Sequence, residues 1–312
     1  MIAAPAYREA AASDLEPAFE LSQRAIRDAL ERQGVVSADG PQRGIRGAWK
    51  ERRSLVEFLA AQPGCAWVCE DGGELIGYAR TIRFGELEQL SELAVDPASQ
   101  HHGVGRKLLQ RCWPGAPTPE LGRVVIAAGA PNDLSLYTDF GVMPAAGHWH
   151  MRSATDEYRE CRSLEVDAAE PSVVALSVEH AVREWKRLEP PALEHHRPEL
   201  HEFFGRDRAC LATLDAAGEA RAICWVSSSG EVGPAVAATP EELVPVVLQT
   251  LDRVAKAQEP ETISVSCTST SWWLIRRLRT LGFRVHRGSW VLCSIPLPGL
   301  DRYMPTRPAI VL

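Results

Sequence analysis

Residues 90–106 decide the fold of this chain, and they read LSELAVDPASQHHGVGR. The part from Gln89 to Asp96 predicts a β-strand, and Pro97 stops it because proline cannot continue a strand ladder. After the two glycines, Lys107 to Trp113 predicts a helix that ends before Pro114. A strand, a glycine-bearing loop and a helix therefore follow one another directly, which is typical of an α/β protein.

The loop between the predicted strand and helix has the features of an anion site. Gly103 and Gly105 lack side chains, so the backbone there can approach a ligand closely and adopt unusual dihedral angles. Successive amides at the start of a helix, helped by its dipole, suit a pyrophosphate. A plain tight turn is the alternative; the strand ahead, the helix behind and Gln100 at its spacing favour the phosphate site. The nearby side chains that can add positive charge are His101, His102, Arg106 and Lys107.

At this point the sequence resembles the GNAT superfamily of N-acetyltransferases. That family carries the pattern Q/R-x-x-G-x-G/A between its fourth strand and third helix, and Gln100, Gly103 and Gly105 match it. Residues 7–15 resemble the family's first strand, and residues 136–142, which read LYTDFGV, resemble its L-Y-x-x-x-G-F segment with Val for Phe at the end. Together the matches span residues 7–152, which is a whole GNAT domain.

The resemblance implies a site for acetyl-CoA as co-substrate. The pantetheine arm would pair with the backbone of the fourth strand at Leu93, Ala94 and Val95, where a fixed Val95 amide would stabilise the oxyanion of the transition state. The pyrophosphate would lie on the loop. For Asn132, which opens the following helix, an N-cap role is the alternative. The other residues implied in cofactor binding are Gln100, His101, His102, Gly103, Val104, Gly105, Arg106, Lys107 and Asn132.

The resemblance also implies two catalytic residues and a direct transfer without an acyl-enzyme. Tyr137, four residues before Gly141, stands where the family often has a tyrosine that protonates the departing thiolate. A core tyrosine with a satisfied hydroxyl is the alternative. Glu92 is the candidate base that deprotonates the substrate ammonium, directly or through water, and a solvated or salt-bridged strand residue is the alternative.

The second half of the chain repeats features of the first at a fixed offset. Ala94 and Ala235 lie 141 positions apart in matching apolar segments, and so do Gly141 and Gly282. Two matches at one offset, in the same order of predicted elements, indicate an internal duplication.

The glycine loop is not repeated in the second copy. Valine adds bulk where a pyrophosphate needs bare backbone, and Thr239 to Glu242 has the spacing of a capping box that starts an ordinary helix. The second copy is therefore predicted to have lost cofactor binding. At the same offset, Gly103, Gly105 and Tyr137 correspond to Val244, Val246 and Leu278.

These observations predict an α/β fold with a mixed sheet, made of two tandem GNAT domains. Residues 1–155 are predicted to form the catalytic domain with the intact acetyl-CoA loop. Residues 156–312 are predicted to form a degenerate GNAT-like domain that supports the first.

Composition limits the other possibilities. The chain has 312 residues, enough for two domains with a core each, and no stretch approaches a membrane span. A formal net charge of −7 argues against nucleic acid as a general partner. The eight cysteines are spread singly. That spacing predicts buried reduced thiols without a metal site, and with no signal peptide it predicts a cytoplasmic protein.

The predicted function is that of an enzyme, an N-acetyltransferase that moves the acetyl group of acetyl-CoA to a primary amine of a small molecule. Two alternatives stay open: a non-catalytic protein that binds or senses acyl-CoA, and a protein acetyltransferase acting on a lysine or an N-terminus. Tyr137 favours catalysis, because a pure binder has no need of a proton donor. The identity of the acceptor, the acyl-chain preference and the choice between monomer and homodimer stay open.

Three smaller expectations concern aromatic and C-terminal residues. His148 and His150 flank Trp149 on a predicted closing strand, where exposed edge histidines are expected. Residues 301–305 are expected to be extended. Most of the tryptophans of the second half are expected to pack in a core or between domains: Trp185, Trp225, Trp272, Trp273 and Trp290.

Overall fold

The chain forms two compact units, Met1–Met143 and Pro144–Leu312. The computed structural model describes residues 4–35, 45–128, 131–164, 171–306 and 311–312, and the side chains of residues 45, 46, 128 and 131–133 lie outside this description. Within the described ranges, no helix has the length and apolar character needed to span a bilayer.

The first unit is built on one mixed sheet with the strand order β1-β2-β3-β4-β5. Neighbours from β1 to β4 are antiparallel, and β5 is parallel to β4. This architecture confirms the predicted fold class. In chain order, the elements are β1 Ala6–Glu9, α1 Leu15–Arg32, α2 Ile45–Ala60, β2 Ala66–Asp71, β3 Glu74–Phe84, β4 Leu87–Val95, α3 Val104–Cys112, β5 Gly122–Ala128 and α4 Pro131–Thr138.

Helices cover both faces of this sheet, because successive strand side chains point to opposite faces and both sets are apolar. On one face, α1 packs on β2, β3 and β4 through a cluster made of Ala18, Leu21, Val68, Tyr78 and Ala94. On the other face, α3 packs on β2 and β3 through a cluster made of Cys69, Ala79, Val104, Leu108 and Cys112. Strand β4 is thus held between two helical layers, and its C-terminal end leads into the glycine loop.

The second unit contains a five-stranded sheet with the order β13-β10-β9-β8-β7, and a second group of strands with the order β12-β6-β11. Its elements are β6 Met143–Ala154, which begins at the last residue of the first unit, α5 Thr155–Ser163, β7 Val173–Leu176, α6 Val178–Leu188, α7 Pro190–Leu193, α8 Pro198–Phe204, β8 Arg208–Leu214, β9 Ala220–Ser227, β10 Val232–Ala237, α9 Pro240–Gln258, β11 Thr262–Thr268, α10 Trp272–Thr280, β12 Arg284–Cys293 and β13 Tyr303–Met304.

The order of elements supports the duplication read from the sequence. The series β2-β3-β4-α3-β5-α4-β6 is followed by β8-β9-β10-α9-β11-α10-β12, with strands and helices in the same sequence. Gly141 and Gly282 both adopt the left-handed conformation, at φ +81° and +83°, after the last helix of each series. Thr239 is the N-cap of α9, yet its side chain makes no capping hydrogen bond, so the predicted capping box is wrong.

Strand β6 ends the first repeat in sequence but lies in the second unit. It pairs antiparallel with β11, from Ala154 opposite Thr262 to His148 opposite Thr268. For this reason the chain divides into units before β6, whereas the predicted domain division follows it at residues 155 and 156. That division describes the two repeats and stays a prediction.

The position of β6 overturns the expectation for its histidines. Because β6 has neighbours on both sides, β12 and β11, it is not an edge strand. His148 is only 3% exposed, and its Nδ1 lies 2.8 Å from the Ser289 hydroxyl. Burial lowers the pKa of His148 to about 4, so the ring is neutral at pH 7.

The tryptophans of the second half divide into two groups. Trp185 and Trp225 are fully buried, as expected. The expectation is wrong for the other three, of which Trp272 is the most exposed at 69%. These exposed side chains are Trp272, Trp273 and Trp290.

Candidate functional site

The candidate site begins where β4 separates from β5. Within the described residues, the parallel ladder runs from Leu87 opposite Gly122 to Leu90 opposite Val125 and goes no further. Both strands continue beyond that point, β4 to Val95 and β5 to Ala128. A wedge therefore opens between their C-terminal ends.

A β-bulge at Ser91 marks the start of the wedge. The register of β3 and β4 shifts between Thr81 opposite Leu90 and Arg80 opposite Glu92, which leaves Ser91 as the extra residue. Its hydroxyl donates to the Arg80 carbonyl at 3.3 Å. A bulge bends the strand that carries it and increases the local twist, which explains why β4 turns away from β5 here.

The register also fixes which backbone groups of β4 face the wedge. The Asp96 amide donates to the Ile76 carbonyl at 2.8 Å, so the adjacent pair, Val95 opposite Gly77, is of the non-hydrogen-bonded type. The backbone N–H and C=O of Val95 therefore point away from β3, into the wedge. By the alternation of an antiparallel ladder, Leu93 does the same, while Ala94 bonds to β3.

The three strand residues predicted to bind the donor thus differ in what they offer. Leu93 and Val95 present their backbone N–H and C=O groups to the wedge. The backbone groups of Ala94 are directed to Tyr78 on β3, the residue opposite it in the ladder. The Gln100 side chain donates to the Val95 carbonyl at 3.2 Å and fastens the loop to the end of β4. The Val95 amide remains directed into the wedge as a hydrogen-bond donor.

The glycine loop ends in the backbone conformation that a helix-start anion site requires. Gly103 is the N-cap of α3 and is left-handed, at φ +80°. A Cβ on Gly103 would meet no atom within 4 Å, so the space above the loop is open. The first helical bond runs from the Lys107 amide to the Gly103 carbonyl at 3.1 Å. The amides of residues 103–106 therefore point out of the helix start.

Gly105 lies where the loop, β4 and α4 meet. A Cβ there would lie 3.6 Å from Val95 Cγ2 and 3.9 Å from Leu136 Cδ2, both ordinary contacts. The protein itself therefore has room for a side chain at this position. Absence of a side chain keeps the backbone of the first helical turn accessible to a ligand.

The polar side chains around the loop are exposed, and two of them, Arg106 and Lys107, carry positive charge. His101, His102, Arg106 and Lys107 all face solvent. Arg106 pairs with Asp139 at 2.6 Å, which ties the first turn of α3 to the end of α4. These groups give the loop a positive field that favours an anionic ligand.

Arg32 is a loop contact that the sequence did not reveal. Its guanidinium donates to the Gln100 side-chain oxygen at 3.1 Å, while the amide of the same side chain holds Val95. Arg32 lies in the last turn of α1, far from the loop in sequence, and only the packing of α1 over β4 brings the two together.

Glu92 belongs to a polar cluster on the α1 face of the sheet. Its carboxylate lies 3.5 Å from Arg80 Nε, and 15% of its side chain is exposed. The same nitrogen donates to the Tyr78 hydroxyl at 2.5 Å. Burial raises the pKa of Glu92 above its ordinary value, and the Arg80 charge opposes that shift. Burial and the Glu92 charge likewise raise the pKa of Tyr78.

Sequence reasoning identified Glu92 but missed its two partners. Tyr78 and Arg80 alternate along β3, so they share the face on which Glu92 lies. The available signal was an arginine, Arg80, among the apolar residues in the middle of the strand, which indicates a buried charge with a partner. Without the register, the sequence does not say which acidic residue that partner is.

The structure places the remaining predicted site residues in α4. Tyr137 is 7% exposed, in the last turn of the helix, and its carbonyl accepts from the Phe140 amide at 2.9 Å. Its neighbour Leu136 faces Gly105, so α4 lies beside the start of α3. Asn132 lies in the first turn of α4, and its side chain is outside the described residues.

Comparison with known proteins agrees with this geometry. Residues 62–141 match the sequence model of an acetyltransferase (GNAT) domain, which includes β4, the loop and α4. No protein with a curated function matches the sequence. The solved structures show the fold, with identities below one fifth.

Three of the similar structures span nearly the whole chain. A protein from Pyrococcus horikoshii, provisionally named an acetyltransferase, has a TM-score of 0.68 at 14% identity, covering 96% of this chain and 92% of its own. A tandem GNAT protein from the clavulanic acid biosynthesis pathway has a TM-score of 0.61 at 18% identity, covering 94% and 99%. A GCN5-related N-acetyltransferase from Sphaerobacter thermophilus has a TM-score of 0.57 at 15% identity, covering 95% and 97%.

The chain therefore contains a GNAT acetyltransferase domain at residues 62–141, and this match supports an acyltransferase enzyme. It carries its GNAT acetyltransferase domain within a fold that tandem GNAT proteins share.

Proposed function

We propose that the chain transfers the acetyl group of acetyl-CoA directly to a primary amine of a small molecule. The observation that carries this proposal is the wedge between β4 and β5, with the amides of residues 103–106 at its outer end. An extended pantetheine arm needs a strand edge, and a pyrophosphate needs amides and positive charge. The first unit offers both along one continuous path.

In this proposal the loop and β4 bind the donor. The pyrophosphate lies on the amides of residues 103–106, with Lys107 adding positive charge and the His101 and His102 rings beside it. The pantetheine arm pairs with the groups that Leu93 and Val95 direct into the wedge. The Val95 amide then donates to the thioester oxygen and stabilises the negative charge that develops on it.

The transfer is a direct attack of the amine on the thioester carbonyl. Glu92 takes a proton from the substrate ammonium, directly or through water, which frees the nitrogen lone pair. The new C–N bond forms, the C–S bond breaks, and Tyr137 donates its phenol proton to the departing thiolate. The raised pKa of Glu92 suits this role, because a base works best when its pKa approaches the working pH.

A small acceptor is favoured over a protein by the position of Glu92. Its carboxylate is recessed beneath α1 with 15% of the side chain exposed, so the acceptor nitrogen must enter the site to reach it. All eight cysteines are free thiols, which fits a reducing compartment, so we include the cytoplasm in the proposal.

The test is release of free CoA thiol from acetyl-CoA with three panels of acceptors: small primary amines, lysine peptides and peptides with free N-termini. Gly103→Glu serves as the variant without a donor site. Turnover with small amines, absent in Gly103→Glu, is the expected result. Turnover with peptides alone would reassign the chain to protein acetylation. Acetyl-CoA binding without turnover on any panel would contradict catalysis and favour a sensor.

A further inference from the structure

The second repeat has a strand edge that corresponds to the wedge of the first, and this edge is occupied. Strand β10 follows β9 as β4 follows β3, and it pairs with β9 on one side. On its other side, β10 pairs antiparallel with β13, with Ala235 opposite Met304 and Val236 opposite Tyr303. The Ala237 amide extends this ladder by donating to the Arg302 carbonyl at 3.1 Å.

The occupant is residues 300–306, here called the C-terminal strand segment. Buried hydroxyls fix its start: the Leu300 carbonyl accepts from Ser271 at 3.1 Å and also from Thr268. At its other end, Gly233 lies directly against it. A Cβ on Gly233 would stand 2.8 Å from the Pro305 carbonyl oxygen, so only a bare backbone allows this approach.

Tyr303 locks the segment to a buried ion pair. Its hydroxyl accepts from Arg197 at 2.6 Å and donates to the Leu312 carbonyl at 3.0 Å. Arg197 pairs with Glu189 at 2.7 Å, and neither side chain is exposed by more than 1%. A buried charge pair is stable only when its hydrogen bonds are complete, and Tyr303 supplies one of them.

Met304 fills the interior of the second repeat. It is fully buried in the cluster of apolar side chains that also holds Val246 and Leu278. Those two residues stand at the sequence offset from Gly105 and Tyr137 of the first repeat. Where the first repeat keeps a bare glycine and a tyrosine hydroxyl, the second has a closed apolar core with Met304 inside it.

We propose that the groove beside β10 is a strand-binding site whose ligand is the C-terminal strand segment of the same chain. The segment takes the edge position that, on the function proposed above, the pantetheine arm takes beside β4. The second repeat is then closed to acyl-CoA by its own chain as well as by Val244 and Val246. One chain therefore binds one acyl-CoA.

The methionines of the chain allow a direct test of this occupancy. Met143 is 54% exposed, whereas Met151 and Met304 are fully buried in the second unit. Hydrogen peroxide oxidises a methionine only when its sulfur is accessible, and peptide mass spectrometry measures each residue separately. The oxidation rate of Met151 reports opening of the unit as a whole. The ratio of the Met304 rate to the Met151 rate therefore reports departure of the segment alone.

The full chain is oxidised with and without saturating acetyl-CoA. We expect Met304 and Met151 to oxidise at the same rate, roughly ten times slower than Met143 or less, in both conditions. Oxidation of Met304 well ahead of Met151 would overturn the proposal, because the segment would then leave its groove without unfolding of the unit. Acceleration of Met304 alone by acetyl-CoA would overturn it too, since the ligand would be displacing the segment.

Calorimetric titration of the full chain with acetyl-CoA tests the stoichiometry separately. One acetyl-CoA per chain is the expected result. Two per chain would show that the second groove accepts the donor and would overturn this inference while leaving the proposed function intact. No binding would contradict the proposed function, and the methionine rates would still decide whether the segment holds its groove.

Discussion

The loop of the first unit should lose its ligand when a single negative charge is added at Gly103. A glutamate there faces open space, since no atom lies within 4 Å of the new Cβ. Its carboxylate would stand beside the amides of residues 103–106. A pair of like charges 4 Å apart near a protein surface repel by about 4 kcal/mol, which weakens binding roughly a thousandfold.

The assay is thermal melting with acetyl-CoA at about 100 times the wild-type Kd, where mass action stabilises the folded protein by about 2.7 kcal/mol. For a unit of this size that corresponds to a rise in Tm of roughly 5–11 °C. A thousandfold weaker Kd leaves the same ligand at about a tenth of Kd, where stabilisation falls below about 0.1 kcal/mol. The rise in Tm should therefore vanish in Gly103→Glu.

Gly72→Glu is the matched control. Gly72 is also left-handed, at φ +58°, and also has no atom within 4 Å of its Cβ, but it lies in the turn between β2 and β3. Each variant places a non-glycine residue in the left-handed region, so each should lower the ligand-free Tm by the equivalent of about 1–2 kcal/mol. A full acetyl-CoA shift in Gly103→Glu, or its loss in Gly72→Glu as well, would refute the placement of the pyrophosphate.

Three further predictions concern the catalytic groups and the second unit. Tyr137→Phe should lower kcat roughly a hundredfold or more without changing the Kd of acetyl-CoA, as measured by calorimetry, because it removes only the proton donor; an unchanged kcat would contradict the acid role. The Glu92 base must be ionised, so kcat/KM should rise with pH through its raised pKa, and this limb should disappear in Glu92→Gln. Arg80→Met removes the charge that favours the ionised form, so it should move the limb to higher pH, and a shift to lower pH would show that Arg80 does not act on Glu92. Arg197→Met should lower the free energy of unfolding of the second unit by about 3–5 kcal/mol in urea, because it leaves a buried carboxylate unpaired. Arg221→Met, which breaks an ion pair with Glu242 that is partly exposed on both sides, should lower it by about 1 kcal/mol or less, and equal effects would contradict the difference in burial.

The parts of the fold that the sequence predicted are those with local signals. Pro97 after an apolar run and Gly103 at a helix start each fix an element boundary within a few residues. The strands and helices around them lie within two or three residues of their predicted bounds: β4 at Leu87–Val95 and α3 at Val104–Cys112. The prediction that the loop binds an anion also relies on local pattern, and it stays a prediction.

The features that sequence reasoning missed depend on pairing between distant segments. His148 looks like an edge residue in sequence, and it is buried because β12 and β11 flank β6. The Arg80–Glu92 pair depends on the bulge at Ser91, since a one-residue change of register moves a side chain to the opposite face. The C-terminal strand segment is two residues of strand, Tyr303 and Met304, whose partner lies far back in the chain. No periodicity in so short a segment predicts its place.

The division of the chain shows the same limit. The repeat offset indicated two copies, and the order of elements agrees with it. The boundary between the two compact units depends on which strand β6 pairs with. Strand β6 pairs with β11, so the boundary falls before it. Sequence similarity follows ancestry, whereas compactness follows hydrogen bonds and packing, so the two boundaries differ.

The central claim is that acetyl-CoA lies along β4, and amide hydrogen exchange resolved to single residues tests it most directly. Saturating acetyl-CoA should slow exchange at Leu93 and Val95, whose amides face the wedge, and at the amides of residues 103–106. The Ala94 amide, already bonded to β3, should be unchanged. Slowed exchange at Ala94 instead of its neighbours, or no change along β4, would contradict the account.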